Sequence, residues 1–175
     1  MQTKKLVLIS LYSAIALTLF VVEAMIPVPI PVPGVKLGLS NIVTLVALLF
    51  LSKSAAGMIL FIRITLGALL VGVPSMLLFS GTGGLLAFIV MIIALKITSR
   101  QQIWVVSILG ALAHNAGQLL MAAWYLQTTA IFAYAPVLVI SAIVSGVFTG
   151  LVAKNLLRYE SLLSWEKKNN LKDKY

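Results

Sequence analysis

Residues 103–127 read IWVVSILGALAHNAGQLLMAAWYLQ, and this stretch decides the fold class. It contains no Asp, Glu, Lys or Arg and is longer than the ~20 apolar residues that carry a helix across a bilayer. Three polar side chains, His114, Asn115 and Gln118, lie in its middle. His114 and Gln118 are four residues apart and share one helix face, with Asn115 beside it. Ala111, Ala113, Ala116 and Gly117 leave room around them.

Five further segments of the same kind extend outward from it. They are expected at Leu6–Ile26, Leu37–Ser52, Ala55–Val73, Gly81–Ile97 and Ile131–Ala153, the second being the shortest. Their dividers are the alternating prolines Pro27, Pro29, Pro31 and Pro33 with Gly34, then Lys53, Pro74, the Lys96–Gln102 link and Gln127–Thr129, followed by Pro136. The chain is 61% hydrophobic and 10% charged, with a mean hydropathy of +1.11, which excludes a water-soluble domain of 175 residues. The expected fold is therefore an all-α integral membrane protein of six transmembrane helices. Residues 1–155 form the membrane domain and 156–175 a basic amphipathic tail lying on the cytoplasmic leaflet.

The net charge of +9 does not indicate nucleic acid, because the cations sit at helix ends and in the tail. With the N-terminus inside, that side carries Lys4, Lys5, Lys53, Lys96, Arg100, Lys154, Arg158, Lys167, Lys168, Lys172 and Lys174, against Lys36 outside. The bias places both termini in the cytoplasm of a multi-pass protein of the cell membrane. Lys4 and Lys5 before an apolar run resemble a secretory leader, but the run exceeds the usual 7–15 residues. The proline-rich outer loop favours a stiff extended segment, either a spacer or a lid.

Counting acids narrows the chemistry. The only Asp is Asp173, and the Glu residues are Glu23, Glu160 and Glu166. Phosphoryl or prenyl transfer with Mg²⁺ needs clustered carboxylates, and zinc needs several His, Cys or acidic ligands. There is no cysteine and one histidine, so neither catalysis by this chain, a metal nor a cofactor is expected.

Arg63 is the other polar intruder. At ~1.5 Å per residue it lies about 15 Å in from Lys53, and His114 lies about as deep from Ile103. A buried cation costs from ~2.5 to more than 10 kcal/mol, so it faces a partner or a polar cavity. Two readings stand: Arg63 is held by backbone carbonyls, Asn115 and Gln118, locking the bundle, or Arg63, His114, Asn115 and Gln118 line a substrate pocket. Ser80, Gly81, Thr82, Gly83 and Gly84 are expected to open the fourth helix from outside, offering unpaired N–H groups to an anion or merely close packing. Lys36, Asn41 and Glu23 are placed near that outer level. On helix one, Ser10, Ala14 and Thr18 form a small-residue stripe for another helix, inside the chain or on a partner.

The run Val32-Pro33-Gly34-Val35-Lys36-Leu37-Gly38-Leu39-Ser40-Asn41 through Leu45 resembles the membrane-embedded family called heptaprenyl diphosphate synthase component I, or the Gx transporter family. Arg63–Gly67, Ser80–Gly84 and Gly110–Gln118 look like its other blocks. That family is similar to the substrate-binding S components of energy-coupling factor transporters. The resemblance implies an outward-facing ligand pocket, for which Arg63, His114, Asn115, Gln118, Lys36, Asn41 and Ser80–Gly84 are the candidate lining. It also implies docking through Ser10, Ala14 and Thr18 to a membrane scaffold with two ATPases. The small-molecule ligand expected is anionic or amphipathic, such as an isoprenoid or quinone precursor. The alternative is a non-catalytic membrane anchor for a soluble prenyl diphosphate synthase. Membrane lipids are the remaining expected partner.

Overall fold

In a bilayer every backbone polar group has to be satisfied within the protein, and long apolar runs answer this by becoming helices. The computed structural model describes residues 3–26 and 38–172, and of 160–172 the backbone alone. Its helices are α1 (Thr3–Ala24), α2 (Asn41–Phe50), α3 (Lys53–Val71), α4 (Ser75–Ile97), α5 (Ile103–Leu126) and α6 (Ala135–Lys172). Tight 3-10 turns at Arg100–Gln102 and Thr129–Tyr134 lead into α5 and α6. The chain is an all-α membrane bundle, with α1, α3, α4, α5 and α6 each long and apolar enough to cross.

The second expected span needs correction. Of its described residues, 38–52, the ten of α2 are helical, about 15 Å of rise and half the thickness of a bilayer. α2 touches α1, α3, α4, α5 and α6, so the short helix is the central post of the bundle. α5 lies between α4 and α6, and α1 leans on α3. Ile9 shares a core with Ala55, Ala56 and Ile59, and Phe20 covers Gly67, so α1 and α3 run parallel.

The helix starts at the prolines differ from expectation. Pro74 does divide α3 from α4, but residues 75–80, expected between the third and fourth spans, are already helix. Pro74 stands immediately before Ser75, and α4 runs unbroken from there. A proline lacks only an N–H that the first turn leaves unused. Pro136 likewise is the second residue of α6, so the sixth helix starts at Ala135 rather than Ile131. At the other end α6 continues to Lys172 without a break, about 57 Å in all. The backbone of the tail, as far as Lys172, is thus the continuation of α6. The proline-rich loop and Lys36 fall outside the described residues.

Small residues set the spacing within α4, α5 and α6. A Cβ on Gly117 would stand 2.9 Å from the Gly83 Cα and the Thr82 carbonyl oxygen. One on Gly150 would stand 2.5 Å from the Trp104 Cα. A hydroxyl pair, Ser107 with Thr149 at 2.7 Å, joins α5 to α6 nearby. Backbones this close gain dispersion contacts, which together with such hydrogen bonds hold helices to one another in lipid.

Gly117→Ala and Gly81→Ala separate this contact from helix propensity. At Gly81 an added Cβ meets nothing within 4 Å. Gly117→Ala is expected to lower the apparent melting temperature in detergent by several degrees, a cost of about 1–3 kcal/mol for overpacking. Gly81→Ala should leave it unchanged or raised.

Candidate functional site

The last turn of α1 and the start of α2 meet through one carboxylate. Glu23 accepts from the backbone N–H groups of Gly38 and Leu39 at Oε1, the latter at 3.0 Å, and from Ser40 at Oε2 at 3.3 Å. These donors lead into a helix with no acidic residue in its own first turn. The carboxylate thus supplies the acceptors and the negative charge that a helix N-terminus favours. Gly38 adopts φ +82°, and a side chain there would collide with Asn41 and His114, so the turn onto Glu23 depends on glycine.

Arg63 reaches the same turn from α3. Its Nη1 donates to Ser40 Oγ and to Asn41 Oδ1, both at 3.1 Å. Ser40 therefore bridges the two charges, donating to Glu23 through its backbone and accepting from Arg63 through its side chain. Arg63 is 1% exposed and Glu23 2%, so neither charge is screened by water. Gly84 on α4 makes room for the guanidinium, since a Cβ there would stand 3.2 Å from Nη2.

α4 and α5 close the cluster. A Cβ at Gly83 would lie within 3.0 Å of His114 Nδ1 and the Gln118 side chain, and one at Gly38 3.0 Å from the His114 ring. Arg63, Asn41, His114, Gln118, Gly83 and Gly84 thus converge, with Ser80 also buried one turn away. Asn115 does not join them: its Nδ2 donates to the Leu138 carbonyl on α6 at 2.8 Å. Gly81 is open, while Thr82 lines an apolar groove with Leu85 and Trp124 and donates its hydroxyl to the Leu78 carbonyl at 2.8 Å.

Several expectations change. Ser80–Gly84 does not open a helix, since α4 has already run from Ser75 and its interior N–H groups are used within the helix. Asn41 is buried and meets Arg63 directly, accepting from its Nη1. Arg63 is held by Ser40 and Asn41 rather than by Asn115 or Gln118. Glu23 is buried against the α2 turn, not an interfacial acid. Ser10, Ala14 and Thr18 all lie on the exposed side of α1, and the Thr18 hydroxyl is satisfied by the Ala14 carbonyl at 3.0 Å.

Glu23 and Ser40 are the residues that sequence reasoning missed. The signal was available for Glu23: a buried arginine calls for a counter-charge, and no other acid precedes the tail. Two donors in the cluster remain buried with no acceptor among the described residues, Arg63 Nε and Asn41 Nδ2. Among the described residues no three His, Cys, Asp or Glu side chains gather.

Breaking the Glu23–Arg63 arrangement on one side should cost about 3–5 kcal/mol, because a buried charge is left uncompensated. Glu23→Ala and Arg63→Leu are each expected to reduce folded yield and apparent melting temperature sharply. The double variant Glu23→Ala/Arg63→Leu should recover part of the loss, giving a non-additive cycle when the melts are compared.

A family model described as heptaprenyl diphosphate synthase component I matches residues 12–156. No curated protein and no solved structure matches the chain. The matched region runs from the first turns of α1 to the stretch of α6 beyond Ala153, and so includes the whole buried cluster. The chain belongs to the heptaprenyl diphosphate synthase component I family.

Proposed function

We propose that this protein captures a small amphipathic molecule within the membrane and is itself non-catalytic. It would serve as the substrate-binding subunit of an uptake assembly powered by a separate scaffold and ATPases. The observation that carries this reading is the pair of unmatched buried donors, Arg63 Nε and Asn41 Nδ2, at the start of a half-length helix. Leaving such donors unused in a dry site costs about 1–3 kcal/mol each, more on a charged group. Broken helices that begin near the bilayer midplane are where membrane transporters hold their cargo. Glu23 already offsets the Arg63 charge. A ligand with one carboxylate or an acceptor-rich head, as in an isoprenoid or quinone precursor, therefore suits the site better than a multiply charged anion. In this reading the basic end of the bundle faces the cytoplasm and the Glu23 end faces outward. His114 and Gln118 complete the pocket wall, and the open stripe of Ser10, Ala14 and Thr18 meets the scaffold.

A second reading, a membrane accessory to a soluble prenyl diphosphate synthase, is favoured by the family description and by α6. That helix outruns the ~30 Å hydrocarbon core by roughly 18 residues, and its basic extension offers an arm for a soluble enzyme.

A mild-detergent pull-down of the tagged full chain, with mass spectrometry of its partners, distinguishes the two. Uptake predicts a membrane scaffold with ATPases, retained after truncation following Asn155. Recovery of a prenyl synthase, lost on that truncation, would replace uptake with the accessory reading. For the site itself, Arg63→Lys keeps the charge but removes Nε and the planar fork. It is expected to weaken retention of the co-purifying small molecule at least tenfold while the protein still folds. Undiminished retention in folded Arg63→Lys would remove Arg63 from the site.

A further inference from the structure

The end of the bundle opposite Glu23 holds a cavity of about 310 Å³ that the reading above does not use. Leu48 of α2, Leu95 of α4 and Ile103 of α5 supply apolar wall, continuous with the core around Leu45 and Val106. Lys53, Lys96 and Arg100 also line it, and all three are exposed, which places them at its mouth. They come from the start of α3, the end of α4 and the 3-10 turn before α5. Among the described residues no acid lines the cavity, and α3 begins there on Lys53 with no acid in its first turn.

Sorting positive charge to one side of a membrane requires cations near helix ends. It does not require three of them to converge on one opening. Lys53 is moreover set against the positive end of the α3 dipole, an arrangement that an anion would relieve. The size adds a constraint. At ~30 Å³ per water the cavity equals about ten waters, enough for a phosphate group and a few carbons but not for a whole lipid.

We propose that this cavity binds the phosphate head of an anionic amphiphile in the adjoining leaflet, with the first carbons of its chain against Leu48, Leu95 and Ile103. The cations meet the phosphate oxygens as charge-assisted donors, Arg100 through two N–H groups and the lysines as point charges. The same chemistry is offered by a lipid head and by a free phosphate, and the experiment separates them.

The purified, delipidated full chain in neutral detergent is titrated with short-chain phosphatidylglycerol, with phosphatidylcholine of the same chains, and with inorganic diphosphate. Bound adducts are read by native mass spectrometry. Saturable binding of one phosphatidylglycerol is expected, with phosphatidylcholine at least tenfold weaker. Lys96→Gln/Arg100→Gln should weaken phosphatidylglycerol at least tenfold, and Lys154→Gln, an exposed cation outside the cavity, less than twofold. The swap Lys96→Arg/Arg100→Lys should retain binding. If the double Gln variant fails to fold, Lys53→Gln provides the reading, with at least a threefold loss. Displacement of phosphatidylglycerol by diphosphate alone supports the site with free phosphate as a sufficient ligand. Resistance to diphosphate supports it with the chain as part of recognition. Equal binding of the two lipids, or an equal loss in Lys154→Gln, overturns the proposal.

Discussion

The Glu23 carboxylate at the head of α2 is the contact on which the rest of the bundle depends. A helix that begins inside hydrocarbon exposes N–H groups that lipid cannot accept, at several kcal/mol each. Gly38, Leu39 and Ser40 give theirs to Glu23. Burying that carboxylate in turn requires a cation, and Arg63 supplies it through Ser40. The guanidinium then needs space, which Gly84 leaves. The polar chain thus runs from α1 through α2 and α3 to α4, with Arg63 Nε and Asn41 Nδ2 left over as donors.

The bundle uses two kinds of adhesion. α4, α5 and α6 approach through glycine and small residues, at Gly83 with Gly117 and at Gly150 with Trp104. α1 and α3 pack on each other through Ile9, Phe20 and Gly67. Between these groups stands α2, where hydrogen bonds and charge at its first turn add to apolar packing through Val43, Leu45, Val46 and Ala47. Dry close packing is cohesive whatever the surroundings, whereas a buried polar seam is stable only in the arrangement that satisfies it.

Much of this was legible in the sequence. The apolar length of Ile103–Gln127 and the end points of α1, α3 and α5 follow from the reach of a helix across a bilayer. Arg63, His114 and Gln118 were found by their polarity at depth, and the structure brings them together. What was not legible was the rotation and reach of side chains. Asn115 and Gln118 are three residues apart on one helix, yet one serves α6 and the other the Arg63 cluster. The half-length of α2 was hidden because Leu37–Ser52 is apolar throughout most of its length, and apolarity does not record where helix begins. Ser80–Gly84 lies inside α4 because the helix starts directly after Pro74, and glycines within an apolar run do not mark where helix begins.

The position of Glu23, Ser40 and Asn41 ahead of Arg63 in the chain bears on membrane insertion during synthesis. A segment as short as α2 is too brief to span the bilayer by itself, so its burial depends on neighbours such as α3. The guanidinium of α3 would be the most expensive passenger during insertion. Its acceptors and its counter-charge have all been made before it leaves the ribosome, so Arg63 can be received by partners as it enters lipid. Had the acid stood on α6, nearly the whole chain would have had to be inserted around an unanswered cation. The order of residues along the polypeptide is thus matched to the order in which their charges meet the membrane.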